Sequence, residues 1–187
     1  MGEAGVFLLD AFLQPFAAVL LFRFHAVWLR APMRNPLGEF IMAITDFLVL
    51  RARRHVPTIA GFDTATLLLA WFAELLYLAG LYALQGDLAH GLPLGGLMLL
   101  ALIKLLTISL YLLMAAVIAQ AVLSWINPQT DMAPMLTAVT NPFLLPIQRR
   151  LPLLGGIDLS PMLLLVICQL LLMTLVGTLE HLAFRLF

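Results

Sequence analysis

The sequence predicts an all-α membrane protein whose four transmembrane helices form two parallel helix–loop–helix repeats. The composition supports the membrane class, because 63% of the 187 residues are hydrophobic and only 11% are charged. A soluble domain has about 45–50% apolar and about 25% charged residues. Ten basic and ten acidic side chains are too few to cover a water-soluble fold of this size. The repeat is indicated by identical residues that recur at one constant offset.

Four stretches are long and apolar enough to cross a bilayer, which takes about 20 residues. They are Gly5–Trp28, Thr64–Leu84, Leu97–Leu123 and Met162–Leu182. No Lys or Arg precedes the first stretch and no Ala-x-Ala cleavage site follows it, so we interpret it as a retained helix. Two long connections, residues 29–63 and 124–161, are rich in proline, arginine and polar residues.

The arginines predict the orientation in the membrane. The two long connections contain seven of them, Arg30, Arg34, Arg51, Arg53, Arg54, Arg149 and Arg150. Arg185 alone lies beyond the last span. The positive-inside rule therefore places loops 29–63 and 124–161 in the cytoplasm and both termini in the periplasm of a bacterial inner-membrane protein. Arg23, near the inner end of the first span, is expected to extend its side chain to the same face.

The repeat has an offset of 95 residues without a gap. This offset pairs Ala26 with Ala121, Val27 with Val122, Ala43 with Ala138, Thr45 with Thr140, Arg54 with Arg149, Pro57 with Pro152, Gly61 with Gly156, and Asp63 with Asp158. We predict one unit over residues 1–90 and a second over residues 97–187. Each unit has two spans, so the copies share one orientation and are related by an axis along the membrane normal.

Each long loop is predicted to begin with an amphipathic helix lying in the headgroup plane. One helical face is formed by Met132, Met135, Leu136 and Val139 in the second copy, and by Leu37, Phe40, Ile41 and Ile44, after Asn35-Pro36, in the first. Asp131 is the expected N-cap of the second helix, with Pro134 in its first turn.

The prolines that follow are expected to break the second loop helix and to turn the chain toward the last span. These prolines are Pro142, Pro146 and Pro152. Asp158 or Ser160 would then cap the last helix, with Pro161 at its first position.

The second loop also resembles a known family. The residues that carry the resemblance are Ser124-Trp125, the run from Thr140 to Pro152 (TNPFLLPIQRRLP), and the run from Gly155 to Pro161 (GGIDLSP). They resemble the YggT family of bacterial and plastid membrane proteins, whose long form is similarly duplicated. The first copy departs from this pattern, since Asp46, Phe47, Arg51 and Thr66 stand where the second copy has Asn141, Pro142, Pro146 and Pro161.

Members of that family have been connected with cell division, nucleoid or septum organisation, maturation of a cytochrome complex in plastids, and osmotic or potassium tolerance. The resemblance therefore implies a non-enzymatic assembly or scaffold factor, with the bilayer and other membrane or division proteins as partners and self-association left open. The residues expected to form its partner surface are Trp125, Asn141, Pro142, Pro146, Arg149, Arg150, Pro152, Gly156, Asp158, Ser160 and Pro161, with Arg54 and Asp63 of the first copy.

Nothing in the sequence indicates catalysis, a cofactor, a metal site or nucleic-acid binding. Nucleotide-binding, zinc-protease and serine-hydrolase motifs are absent, and the net charge is zero. The four histidines, His25, His55, His90 and His181, are far apart in the sequence. Cys168 lies in the middle of a span, where we expect it to be a small core residue.

Polar residues within the spans are the remaining candidates. Lys104 is expected to pair with Asp10 or Glu180 as a structural contact, the alternative being an ion-conducting polar track. Glu74 and Gln169 are 95 residues apart and are expected to face each other. They would either form an interhelical hydrogen bond or serve a small ion channel or transporter.

The pairs Arg54/Asp63 and Arg149/Asp158 have the same nine-residue spacing. Each arginine is expected to pair with its aspartate and to fix the return of the loop to the next span. The other interpretation is a docking surface for a partner or for anionic headgroups.

Overall fold

The computed structural model describes residues 2–59, 61–84, 93–151 and 158–184. The predicted first copy contains α1 (Gly2–Trp28), α2 (Pro36–Ala52) and α3 (Thr64–Leu84). The predicted second copy contains α4 (Leu94–Ile126), α5 (Ala133–Gln148), α6 (Ser160–Leu171) and α7 (Gly177–Phe184). Across the described ranges, β pairing is limited to one bridge between Ile59 and Phe62.

Four helical segments are long and apolar enough to cross a membrane: α1, α3, α4 and the segment Ser160–Ala183. These confirm the four predicted spans. In the last segment, α6 and α7 are joined by a π-helical turn, Leu172–Val176. No sequence pattern predicts this turn, which adds a residue to the helix and changes the direction in which the α7 side chains point.

The four long helices pack through two apolar clusters. One cluster includes Ala17 and Leu21 of α1, Ala70 of α3 and Leu105 of α4. The other joins the C-terminal half of α3 to α4 and α7 and includes Tyr77, Leu97, Val176 and Ala183. Glycines bring α1 and α3 close together, since a Cβ at Gly80 would lie 2.9 Å from Leu9 Cδ1.

The ends of α1 and α4 that carry the long loops form a common surface with α2 and α5, here called the loop face. A third cluster joins these elements and includes Ala26, Ile41, Ala116, Met135 and Val139. The two loop helices are thus packed on the protein.

Asn35 connects the two copies at the loop face. Its side chain accepts the Gly38 N–H at 2.9 Å as the N-cap of α2 and donates to Met135 Sδ at 3.2 Å. Gly38 has no room for a side chain, because a Cβ there would lie 2.2 Å from the Met33 carbonyl oxygen.

The apolar faces predicted for the two loop helices meet different surroundings. In α2 the residues buried in the protein are Gly38, Ile41, Thr45 and Val49, while Phe40 of the predicted face is exposed. In α5, Met135, Leu136 and Val139 of the predicted face are all buried within the protein. The rotation of α2 is fixed by Gly38, which lies against the Met33 backbone.

The prediction that Pro142 and Pro146 break the second loop helix is wrong. Both lie inside α5, which continues to Gln148, and both are exposed. A proline inside a helix costs about 3 kcal/mol, because it removes a backbone hydrogen bond and crowds the preceding turn. Burial of Met135, Leu136, Val139 and Leu144 along the opposite face offsets this cost, at about 1.5–3 kcal/mol for each fully buried side chain.

The prediction that Asp131 is the N-cap of α5 is also wrong. Met132, with helical backbone angles, occupies that position, and no side chain caps the helix. A tight turn supplies the acceptor instead, since the Ala133 N–H donates to the Thr130 carbonyl at 3.0 Å. Pro134 lies in the first turn, as predicted.

Candidate functional site

The return from α5 to α6 is held by Asp158. One carboxylate oxygen accepts from Gln148 Nε2 at 2.7 Å, and the other accepts the Ser160 backbone N–H at 2.9 Å. The helix then begins at Ser160, which is fully buried, with Pro161 in its first turn. Asp158 therefore orients the start of the last span, although Leu159 is the formal N-cap.

In the first copy, Asp63 ties the corresponding return. Its carboxylate is only 2% exposed and forms an ion pair with Arg53, whose Nη2 lies 2.5 Å from Oδ2. The Thr66 hydroxyl also donates to this oxygen at 2.5 Å. Burial raises the pKa of Asp63, but the hydrogen bonds from Arg53 and Thr66 and the positive charge of Arg53 outweigh burial and hold the pKa below its ordinary value.

The predicted partners of these two aspartates are wrong by one residue. Arg53 and Gln148 make the contacts that we expected of Arg54 and Arg149, both of which are exposed. Arg53 and Gln148 are themselves 95 residues apart. A search for identical residues at the 95-residue offset misses this pair, because one residue is arginine and the other is glutamine. Both side chains nevertheless donate hydrogen bonds.

The loop helices are fixed to the spans at a second pair of equivalent positions. Arg23 is buried and reaches Asp46 Oδ1 at 2.7 Å and Thr45 Oγ1 at 2.6 Å. It thus extends toward the loop face, as expected, and pairs there with α2. In the second copy Thr140, the counterpart of Thr45, donates to the Gln120 side chain.

The other residues of the expected partner surface are distributed unevenly. Trp125, at the end of α4, is 88% exposed, and Arg150 is exposed beyond α5. Asn141 is half-buried. Pro152 and Gly156 lie outside the described residues, as do His90 and Arg185.

Within the spans, Lys104 Nζ lies 3.1 Å from Glu180 Oε1. Of the two expected partners of Lys104, Glu180 therefore makes the contact and Asp10 does not. Asp10 instead accepts a hydrogen bond from the Tyr77 hydroxyl at 2.8 Å. Cys168 is buried in a cluster with Val117, Leu144 and Leu164, as expected of a core residue.

Glu74 and Gln169 do not face each other. Glu74 is fully buried, whereas Gln169 lies on the exposed surface of α6. Neither carboxyl oxygen of Glu74 has a hydrogen-bond partner within the described parts of the chain. The prediction failed because α3 and its counterpart α6 bury different faces. The constant sequence offset does not reveal which face each helix buries.

Two segments of the chain match a known protein family. The CCB3/YggT family matches residues 3–84 and again residues 99–179. The chain belongs to the CCB3/YggT family. This confirms the family resemblance carried by the second loop.

Relatives of this CCB3/YggT family member extend over most of its length. It is 31% identical to "Uncharacterized protein YggT" of Escherichia coli (strain K12), over 86% of this chain and 83% of the relative. It is 29% identical to "Uncharacterized protein PA0392" of Pseudomonas aeruginosa, over 86% of this chain and 82% of that protein. No solved structure matches the chain.

Proposed function

We propose that this protein is a non-enzymatic assembly or scaffold factor of the bacterial inner membrane and that it acts through the loop face. The observation that carries the proposal is the exposure of large aromatic and cationic side chains there, namely Trp125, Phe143, Arg149 and Arg150. Aromatic residues and arginine are enriched in protein–protein interfaces and in their energetically dominant contacts.

The hydrogen bonds of Asp158 support the same proposal. They tie the end of α5, which carries Arg149 and Arg150, to the residues that begin α6. A preordered surface loses less conformational entropy when a partner binds. The partners would be other membrane or division proteins, and the process would be cell division, maturation of a membrane complex or osmotic tolerance.

The proposal includes an orientation. Loops 29–63 and 124–161 would lie in the cytoplasm and both termini in the periplasm, with α2 and α5 at the membrane interface. Support for the interfacial position comes from the exposed apolar side chains Phe40, Phe47 and Leu50 on α2, which would enter the acyl boundary of the bilayer.

We also propose that the two copies are parallel repeats, over residues 1–90 and 97–187. Support comes from the equivalent positions of Thr45 and Thr140, whose hydroxyl oxygens each lie within hydrogen-bond distance of the carbonyl oxygen four residues earlier and contact the preceding span. The two separate family matches are consistent with the same division.

Site-specific photocrosslinking tests the scaffold proposal. A photoreactive amino acid at position 143 should yield a discrete crosslinked membrane protein in cells, and the Asp158→Ala change should abolish that product. The matched control is position 72, where Phe72 is exposed on α3 away from the loop face. Equal products from positions 72 and 143 would contradict a loop-face partner.

Complementation tests whether that contact matters. In a strain lacking the gene, Arg149→Ala and Asp158→Ala should fail to restore normal cell length or growth at high osmolarity, while membrane levels of the protein stay normal. Arg54→Ala should be milder, because the first loop lacks the motif prolines. Ion flux through the pure protein in liposomes, lost in Glu74→Gln, would contradict the scaffold proposal.

A further inference from the structure

Glu74 stands out among the polar residues of the spans. Its side chain is fully buried, and both carboxyl oxygens lack a hydrogen-bond partner among the residues that the structure describes. On α3 it lies between Ala70 and Ala73 on one side and Tyr77 and Leu78 on the other, all buried in the two apolar clusters. An isolated ionised carboxylate in such surroundings is strongly disfavoured.

The charged residues Asp10, Arg23 and Lys104 of the neighbouring helices are already engaged. Asp10 of α1 accepts the Tyr77 hydroxyl, and Arg23, also on α1, is held by Asp46. On α4, Lys104 lies close enough to act electrostatically on Glu74 but makes its contact with Glu180 of α7. Glu74 and Glu180 therefore both lie near one lysine, Lys104, and the contact of that lysine is with Glu180.

We propose that Glu74 is a proton-binding site within the membrane and that the Lys104–Glu180 ion pair keeps the proton on it. If Glu74 and Glu180 were both ionised, the single charge of Lys104 would leave one of the two carboxylates uncompensated. Glu180 holds Lys104 at 3.1 Å, so Glu74 is neutralised by a proton. Loss of that proton would draw the flexible Lys104 side chain from Glu180 toward Glu74.

The site goes beyond the scaffold proposal and does not depend on it. A proton bound at Glu74 requires no partner at the loop face, and a loop-face partner requires no proton at Glu74. Labelling of the purified protein therefore tests this site even where the crosslinking experiment fails.

A hydrophobic carbodiimide is the appropriate probe, because it reaches protonated carboxyl groups in apolar surroundings. The carboxyl proton moves to a carbodiimide nitrogen and the carboxyl oxygen bonds to the central carbon, so the whole reagent is added and nothing leaves. The full chain in liposomes at neutral pH is treated with dicyclohexylcarbodiimide, and mass spectrometry locates the adduct. We expect labelling at Glu74 and its loss in Glu74→Gln.

Two further variants test the role of the ion pair. Glu180→Gln frees Lys104 to pair with Glu74, so labelling of Glu74 should fall several-fold. Lys104→Met removes the competing cation, so labelling should remain at least at the wild-type level. Thermal unfolding of each variant shows whether it is folded, and Glu74→Gln should be as stable as the wild type because the amide resembles the protonated carboxyl.

An unlabelled Glu74 in the folded wild-type protein would overturn the site. Undiminished labelling in Glu180→Gln would overturn the role of the ion pair. Protection of Glu74 by sodium chloride but not by choline chloride would also overturn the proposal, because the occupant would then be a sodium ion.

Discussion

Arg53 and Arg54 are neighbours in the sequence with different surroundings. Arg53 contacts the buried carboxylate of Asp63 through two nitrogens, at 2.5 and 3.3 Å, whereas Arg54 is exposed. A buried charge that loses its partner retains its desolvation penalty, so the two arginines should differ in their effect on stability.

We therefore expect Arg53→Ala to lower the free energy of unfolding by about 1–3 kcal/mol, because it leaves the Asp63 carboxylate with the Thr66 hydroxyl as its main donor. Arg54→Ala is the matched control and should change it by less than about 0.5 kcal/mol. Thermal or chemical unfolding in detergent measures both. Equal losses would mean that the ion pair does not form as described.

The same aspartate predicts a dependence of stability on pH. The folded-state pKa of Asp63 is depressed, mainly because the donors Arg53 and Thr66 overcome the effect of burial. Its contribution to stability is therefore fully present above the ordinary aspartate pKa of about 3.9 and is lost as the pH falls through the folded-state pKa.

Unfolding temperatures measured from neutral to acid pH should show this loss in the wild type. Asp63→Asn should be less stable at neutral pH and should lose less stability below about pH 4. The exposed Asp131 provides the control, since Asp131→Asn should leave the acid-induced loss unchanged. An identical acid profile for Asp63→Asn and wild type would contradict the prediction.

Among the elements, the last span illustrates how a local irregularity can place a side chain. The π turn Leu172–Val176 precedes Glu180 by one helical turn, and Glu180 reaches Lys104 of α4. Each residue of an α-helix rotates the next by about 100°, since a turn contains about 3.6 residues. The extra residue of the π turn thus determines whether Glu180 points toward α4.

Deletion of Met173, which is 69% exposed, should convert the π turn to α-helix and turn Glu180 away from Lys104. We expect a lower unfolding temperature and, since Lys104 is then free to pair with Glu74, less carbodiimide labelling of Glu74. Met173→Ala preserves the length of the helix and should retain both wild-type values. Unchanged labelling in the folded deletion variant would show that the π turn does not place Glu180.

For the whole molecule, the arginines predict which end faces the cytoplasm. Arg54 and Arg149 are exposed at the loop face, while Cys168, the single cysteine, is buried. Single cysteines at positions 54 and 149 in a Cys168→Ala background should therefore resist a membrane-impermeant maleimide added to intact cells. They should react after the membrane is opened.

Gly2, near the N-terminus, is exposed and provides the control for the opposite side. Gly2→Cys should be labelled in intact cells. Labelling of position 54 or 149 from the periplasm would reverse the proposed orientation and remove the loop face from contact with cytoplasmic division proteins.

The sequence by itself determined the membrane class, the four spans and the family. Each of these depends on a property that is summed over many residues, such as a 20-residue apolar stretch or a conspicuous motif, so an error at one position has little effect. The apolar face of α5 was predictable for the same reason, because it follows from the spacing of several residues. The burial of Cys168 was expected from its place in the middle of a span. The sequence also identified Asp63 and Asp158 as the residues that anchor the returns.

Only the tertiary structure decided which partners these residues have. Arg53 rather than Arg54 meets Asp63, and Glu180 rather than Asp10 meets Lys104. Such choices depend on helix rotation, and a shift of one residue turns a side chain by about 100°. The rotation of α2 is fixed by Gly38, which lies against the Met33 backbone, and the rotation of α7 is fixed by the π turn. Neither feature produces a periodic pattern of residues in the sequence.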